Sequence, residues 1–482
     1  MGRWNVSPAD SESWHGIETS NYFKKIFGIT KGTLVIQTLY DNGEHGYFPK
    51  SYFKQLSQRM TEINRHDYRA LEKILKRFYD FVARAKKEVA WPRRKDLKNL
   101  SNAQLIKMYQ SNRSWEHRVA IYDQLGWIAE DHWKERAERI LVEEYKLKKN
   151  SSEYYRVLFA LSKPERISTT LEEKKAGLEA ALRVAAGHTT LAKASDQLAK
   201  DFGWLPVAAY GTPWIAEHYK DELKQIIKRS TNDLKNDIST LKNYTPLRNK
   251  EYQEIIKRYR ISPQSLQVFI DFGLVTDVRN EAEYFLSYAG FYLIPLYKEI
   301  ARRLALSIGQ VRNLYEDEIV AALQGKIDPL ETLRQKGKII GWGFNPAMTK
   351  RINFTTQEAA ALFDHIEKNT PLIQGSKSNA GICASPGTAR GVIKVVHSPT
   401  ENYKVKNGDI MIAHTTMVDF LPAMKKAAAI VTEVGGLTCH AAVVSREFGV
   451  PCIVGLKDAT KNFKDGQKVE VIADKGLITI LK

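Results

Sequence analysis

Across most of the first 370 residues, apolar positions return every three or four residues, the spacing that lays one stripe along an α-helix. The pattern predicts long helices over about 50–88 and 103–146, and a group of helices over about 171–260. Ser262 and Pro263 mark a fresh start as N-cap and first helical residue. An apolar-rich helix is expected over about 276–304, kinked at Pro295, and another over about 310–323. A short helix starts at Asp328-Pro329, and the T-x-x-E capping box at Thr355 and Glu358 opens one that runs to about Lys368. The opening of the chain differs: residues 33–37 read as a strand, residues 41–44 as a hairpin turn, and residues 338–344 as a further strand. Trp204, Tyr210 and Trp214 surround a Gly/Pro-rich break and are expected to pack in the core or its loops. From about residue 380 the pattern becomes short apolar runs separated by glycine-rich turns. A polar Pro/Gly/Ser stretch near 369–379 reads as a linker. The expected fold class is α+β and multidomain: a large mainly helical region over 1–370, a linker at 371–379 and a distinct module over 380–482.

Composition narrows the class further. The 482 residues leave room for two to four domains. With 43% hydrophobic and 27% charged residues, a disordered polymer, a collagen or a coiled-coil rod is excluded. The longest apolar candidate, 285–297, is too short for a membrane span and runs into Lys298 and Glu299. The N-terminal stretch shows no secretory apolar core. Cys383, Cys439 and Cys452 are too few for a disulfide framework and lack zinc spacing, so a cytoplasmic location and no metal site are expected. The net charge of +18 favours anionic partners such as nucleotides, phosphorylated substrates or nucleic acid. The short basic clusters at 86–87, 93–95 and 146–149 read as solvated helix faces and ends.

One segment carries chemistry. Residues 427–431 suit a buried strand, Gly435 and Gly436 permit a tight turn with positive φ, and Thr438 is the expected N-cap of a helix that Gly449 and Pro451 end. His440 then falls in the first helical turn. Unpaired N–H groups and a partial positive charge at that end stabilise a bound phosphate and disfavour imidazolium. A neutral ring nitrogen is a nucleophile toward phosphorus. The glycines let backbone approach the phosphate, and the imidazole is expected to be held out toward solvent.

The run Gly435-Gly436-Leu437-Thr438-Cys439-His440-Ala441-Ala442 resembles the phosphohistidine signature of the mobile domain of the phosphoenolpyruvate-utilising enzymes, a family that includes phosphoenolpyruvate synthase, pyruvate phosphate dikinase and rifampin phosphotransferase. Six such fixed positions recur by chance on the order of once in 10⁷ windows at average residue usage. The resemblance continues in order through residues 384–391, similar to the family's S-P-G-x-x-x-G strand and turn. It continues through 408–411 and 415–419, where Val418 replaces the usual proline, and through 465–469 and 474–476. It implies a β/β/α swivelling phosphohistidine domain over 380–482, hinged at the linker, with His440 as the phosphocarrier. Gly435, Gly436, Thr438, Arg446 and Glu433 are the candidate phosphate-binding or supporting residues, and Asp419 and Arg390 are similar choices. Residues 293–304 and 311–323 are similar to the helices before the carrier in rifampin phosphotransferase and related proteins, which implies an acceptor-binding or scaffold role for 1–370.

Full family members carry an ATP-grasp domain, and no such pattern or G-x-x-x-x-G-K-[ST] loop is recognisable here. The expected function is therefore a phosphotransferase component. His440 carries a phosphoryl group between a nucleotide site on a separate ATP-grasp chain, which would hold ATP and Mg²⁺, and an unnamed acceptor. The alternative is a non-catalytic regulatory or nucleotide/RNA-binding protein with a phosphorylatable histidine.

Overall fold

The computed structural model describes residues 3–5, 24–25, 34–38, 43–47, 50–90, 96–207, 212–336, 339–344, 351–369 and 380–481. The linker at 371–379, the hairpin residues Asp41 and Asn42, Tyr210 and the 93–95 cluster lie outside them. The chain divides into two compact units. One comprises Met1–Ala129, Val207–Gly211 and Val278–Leu372; the other comprises Glu130–Pro206, Thr212–Asp277 and Ile373–Lys482. Two of the boundaries, at 129/130 and 277/278, fall inside long helices, Asn102–Arg139 and Pro263–Leu304. The second of these joins the expected start at Pro263 to the expected 276–304 helix in one run through Pro295.

The first unit combines helices with a five-stranded antiparallel sheet. Its strands are β1 (Arg3–Asn5), β2 (Leu34–Thr38), β3 (Gly43–Tyr47), β4 (Ile339–Phe344) and β5 (Arg351–Phe354), in the order β1-β3-β2-β4-β5. Its apolar core joins Leu105 and Tyr109 to Leu293, Leu296, Ile300, Val311 and Ile319. The capping box forms at Thr355: its hydroxyl accepts from the Glu358 amide at 3.2 Å and Glu358 accepts from the Thr355 amide at 2.8 Å.

The second unit contains the helices Ser152–Ser162, Thr169–Ala185, Leu191–Phe202, Ala216–Ile226, Thr231–Lys242 and Tyr244–Tyr259. Ser151, Ser168, Thr190 and Ser230 cap four of them through their hydroxyls. Trp204 is buried and its ring N–H donates to the Asp201 carbonyl, so it packs the core as expected.

The same unit holds a seven-stranded mixed sheet: β6 (Ile382–Ser385), β7 (Thr388–Val396), β8 (Ile410–Ala413), β9 (Ala429–Thr432), β10 (Cys452–Val454), β11 (Lys468–Ile472) and β12 (Leu477–Ile480). The order is β12-β11-β7-β8-β9-β10-β6. Strands β7 to β10 run parallel, and the outer pairs are antiparallel. Every residue of β8, β9 and β10 is buried, which explains why they read as continuous apolar runs without alternation. The protein is thus α+β, with a large helical portion followed by a β/β/α module. Among the described residues, no helix is long and apolar enough to cross a membrane.

Candidate functional site

The site lies where parallel strands end, the edge at which open α/β sheets place their ligands. Thr416 follows β8, His440 follows β9 and Thr460 follows β10. After β9 the chain remains pinned to its neighbour, because the amides of Glu433 and Val434 donate to the carbonyls of Ala413 and His414. It then turns sharply. Gly435 has φ +131°, and a Cβ there would lie 2.7 Å from Cys439 Sγ, so this position demands glycine for both conformation and space. Of the two glycines expected at positive φ, Gly435 alone adopts it. Gly436 instead accepts from the Cys439 amide at 3.2 Å, closing a turn over Leu437 and Thr438.

The helix that follows the turn is His440–Phe448. His440 is its first residue, as expected. The N-cap is Cys439, not Thr438: Cys439 has extended backbone (φ −67°, ψ 160°) and no side-chain cap, while Thr438 is buried one position earlier. The 436–439 turn shifts the start by one residue. Gly449 ends the helix in the left-handed conformation (φ 66°), and the Val450 amide donates back to Ser445.

His440 is 8% exposed. The expectation of a ring held out in solvent is therefore corrected. Val434 and Gly435 are exposed, whereas the imidazole is buried. Its Nδ1 lies 3.2 Å from the hydroxyl of buried Thr416. Thr416 was visible in the sequence only as part of the 415–419 loop; no local pattern placed it against a histidine 24 residues later. Despite Val418 in place of proline, that loop forms a tight turn at Val418–Phe420 and enters the Leu421–Met424 helix with Pro422 in its first turn.

The remaining predicted residues separate. Glu433 accepts from the Thr460 amide at 2.7 Å and from its hydroxyl at 2.5 Å, and its other oxygen lies 2.6 Å from His414 Nδ1. Burial opposes its ionisation, but the hydrogen bonds from Thr460 and His414 prevail and hold its carboxyl below the usual value. Glu433 thereby ties the ends of β8, β9 and β10 together. Arg446 points elsewhere: it donates to the Ala384 carbonyl at 3.0 Å and its guanidinium sits 4.8 Å from the Phe159 ring centroid. Arg390 pairs across strands with Glu470 at 2.8 Å. Asp419 offers its backbone carbonyl to Asn402. Cys439 is partly exposed, whereas Cys383 and Cys452 are buried; burial pushes the Cys452 thiol up to about 12. Among the described residues, no group of three His, Cys, Asp or Glu side chains could hold a metal ion.

The comparisons agree with this geometry. Residues 405–476 match the family described as PEP-utilising enzyme, mobile domain. A probable phosphoenolpyruvate synthase of Archaeoglobus fulgidus is 40% identical over 186 residues, 38% of this chain and 24% of that protein. The phosphoenolpyruvate synthase of Pyrococcus furiosus is 41% identical over 145 residues, 30% of this chain and 16% of its own. That of Escherichia coli is 40% identical over 111 residues, 23% of this chain and 14% of its own. The Archaeoglobus match is longer than the whole segment from 380 to 482, so the similarity extends beyond it. The chain spans about a quarter or less of the length of these relatives. With the signature seated at the strand ends of a β/β/α module, the carboxy-terminal segment of this chain is a mobile domain of the phosphoenolpyruvate-utilising enzyme family.

Proposed function

We propose that the chain is a phosphotransferase component in which residues 380–482 move as one body and His440 carries a phosphoryl group between a nucleotide site and an acceptor. The observation that carries this reading is His440 at the first position of its helix, behind a turn that only glycine fits, with Nδ1 held by Thr416. When Nδ1–H donates to the Thr416 hydroxyl, Nε2 is the unprotonated ring nitrogen, the one whose lone pair attacks phosphorus. The N–P bond forms as the bond to the leaving phosphate oxygen breaks. The helix N-terminus and the backbone of Gly435 and Gly436 then stabilise the added negative charge. Thr438 and Glu433 support the loop from behind. Because the ring is largely covered, charging requires local rearrangement around His440.

The nucleotide site belongs to a separate ATP-grasp chain, which holds ATP and Mg²⁺, and the helical region binds the acceptor or serves as scaffold. The signature's match to proteins named phosphoenolpyruvate synthase supports the carrier chemistry. The test is labelling with [β-³²P]ATP and [γ-³²P]ATP, with and without a stand-alone ATP-grasp protein. The purified chain alone should take up no label; with the partner, acid-labile phosphate should appear on His440. Robust self-labelling overturns the separate-chain arrangement.

A further inference from the structure

We propose that Lys425, Glu173 and Glu222 form an ionic latch that parks the carrier domain on a docking face of the chain's own helices. This inference rests on the mobile-carrier reading above.

Lys425 follows the Leu421–Met424 helix of the carrier module, and its side chain is 16% exposed. Its ammonium lies 2.9 and 2.7 Å from the two carboxylate oxygens of Glu173, on the Thr169–Ala185 helix. It lies 2.7 Å from Glu222 Oε1, on the Ala216–Ile226 helix. One cation thus bridges two carboxylates contributed by two helices, each more than 200 positions away in the chain. Glu173 is 2% exposed and Glu222 24%. Burial and the charge of Glu222 push the Glu173 carboxyl up to about 7 in spite of the ammonium, so Lys425 is the group that makes the pair of carboxylates tolerable there.

The contacts around the latch are reciprocal. Arg446 of the carrier helix lies over Phe159 of the helical portion at 4.8 Å, while Lys174 of the helical portion lies over Phe448 of the carrier helix at 5.0 Å. Ser152 donates to Asp474 at 3.0 Å. Arg446, a candidate phosphate-binding or supporting residue from the sequence, therefore serves the docking face. Charged and cation–π contacts of this kind separate without exposing a large apolar surface, which suits an interface that must open repeatedly. Delivery of His440 to any distant site requires release of the latch, which returns all three ionic groups to water.

The test uses the full chain with spin labels on cysteines introduced at exposed Gln197 and Asn407, in a Cys439→Ser background that removes the partly exposed native thiol. Electron–electron resonance should give one dominant short distance in the parent protein. Lys425→Gln and the double variant Glu173→Gln/Glu222→Gln should each lower the docked-to-released ratio at least tenfold, and Lys425→Arg should retain it. An unchanged distance distribution in folded Lys425→Gln and Glu173→Gln/Glu222→Gln overturns the latch. Should those variants fail to fold, Glu222→Gln alone should lower the ratio at least threefold, and no change in it overturns the latch equally. The carrier reading is tested separately by treating the same proteins with potassium phosphoramidate and mapping phosphate to His440. Released variants without phosphohistidine leave the latch standing and remove the carrier. Phosphohistidine with unmoved distances does the reverse.

Discussion

The carrier module and the helical region handle polar groups in opposite ways. In the module, β8, β9 and β10 are buried along their whole length, and the working side chains Thr416, Glu433 and His440 collect just past the strand ends. In the helical region, charge goes into the interior. Arg113 is 1% exposed, contacts Glu116 and lies 2.8 Å from Glu316, which also faces His117 at 3.1 Å. Arg166 meets buried Asp277 at 3.1 Å. The module keeps these polar side chains at one edge of its sheet. A helical framework with ion pairs inside loses tolerance to single substitutions, because removing one partner strands the other.

The same contrast explains what could be read from the chain. The 435–442 signature, the helix stop at Gly449 and the short apolar strands are local, so residue order alone locates them. The capping box at Thr355 and the start at Asp328 are local too, and both form. Thr416 against His440, Glu433 against Thr460 and Lys425 against Glu173 join residues 24, 27 and 252 positions apart, and no periodicity encodes such pairs. The N-cap fell one residue from its expected place because the 436–439 turn, closed by a backbone hydrogen bond, decided the helix start rather than the best capping side chain.

Arg113→Ala removes a buried cation of the helical region. Leaving Glu116 and Glu316 without their guanidinium should destabilise the protein by about 3–5 kcal/mol, read from denaturant melts; a loss under about 1 kcal/mol would show that the buried charges are not structural. His132 sharpens the same side. Burial and the nearby Arg136 and Arg139 charges hold its pKa down to about 4, against about 6.5 unfolded. Its contribution is present above the unfolded value. Stability should fall by about 1–3 kcal/mol as pH drops from about 6.5 to about 4, and His132→Gln should flatten that slope in pH-dependent melts. On the carrier side, Gly435→Ala forces a Cβ against Cys439 Sγ at positive φ. It should cost roughly 1–3 kcal/mol of local stability, seen as faster amide exchange confined to 433–440. Thr416→Val should slow phosphoryl uptake about tenfold by removing one orienting hydrogen bond, and Thr416→Ser should restore it.

Phosphoryl transfer to His440 is read directly by site-resolved phosphate mapping. After charging with ATP and an ATP-grasp protein, or with potassium phosphoramidate, one acid-labile, base-stable phosphate per chain should be found on His440. His440→Ala should abolish it without altering the fold. Phosphate retained in His440→Ala, or no phosphate on folded parent protein under either donor, would contradict it.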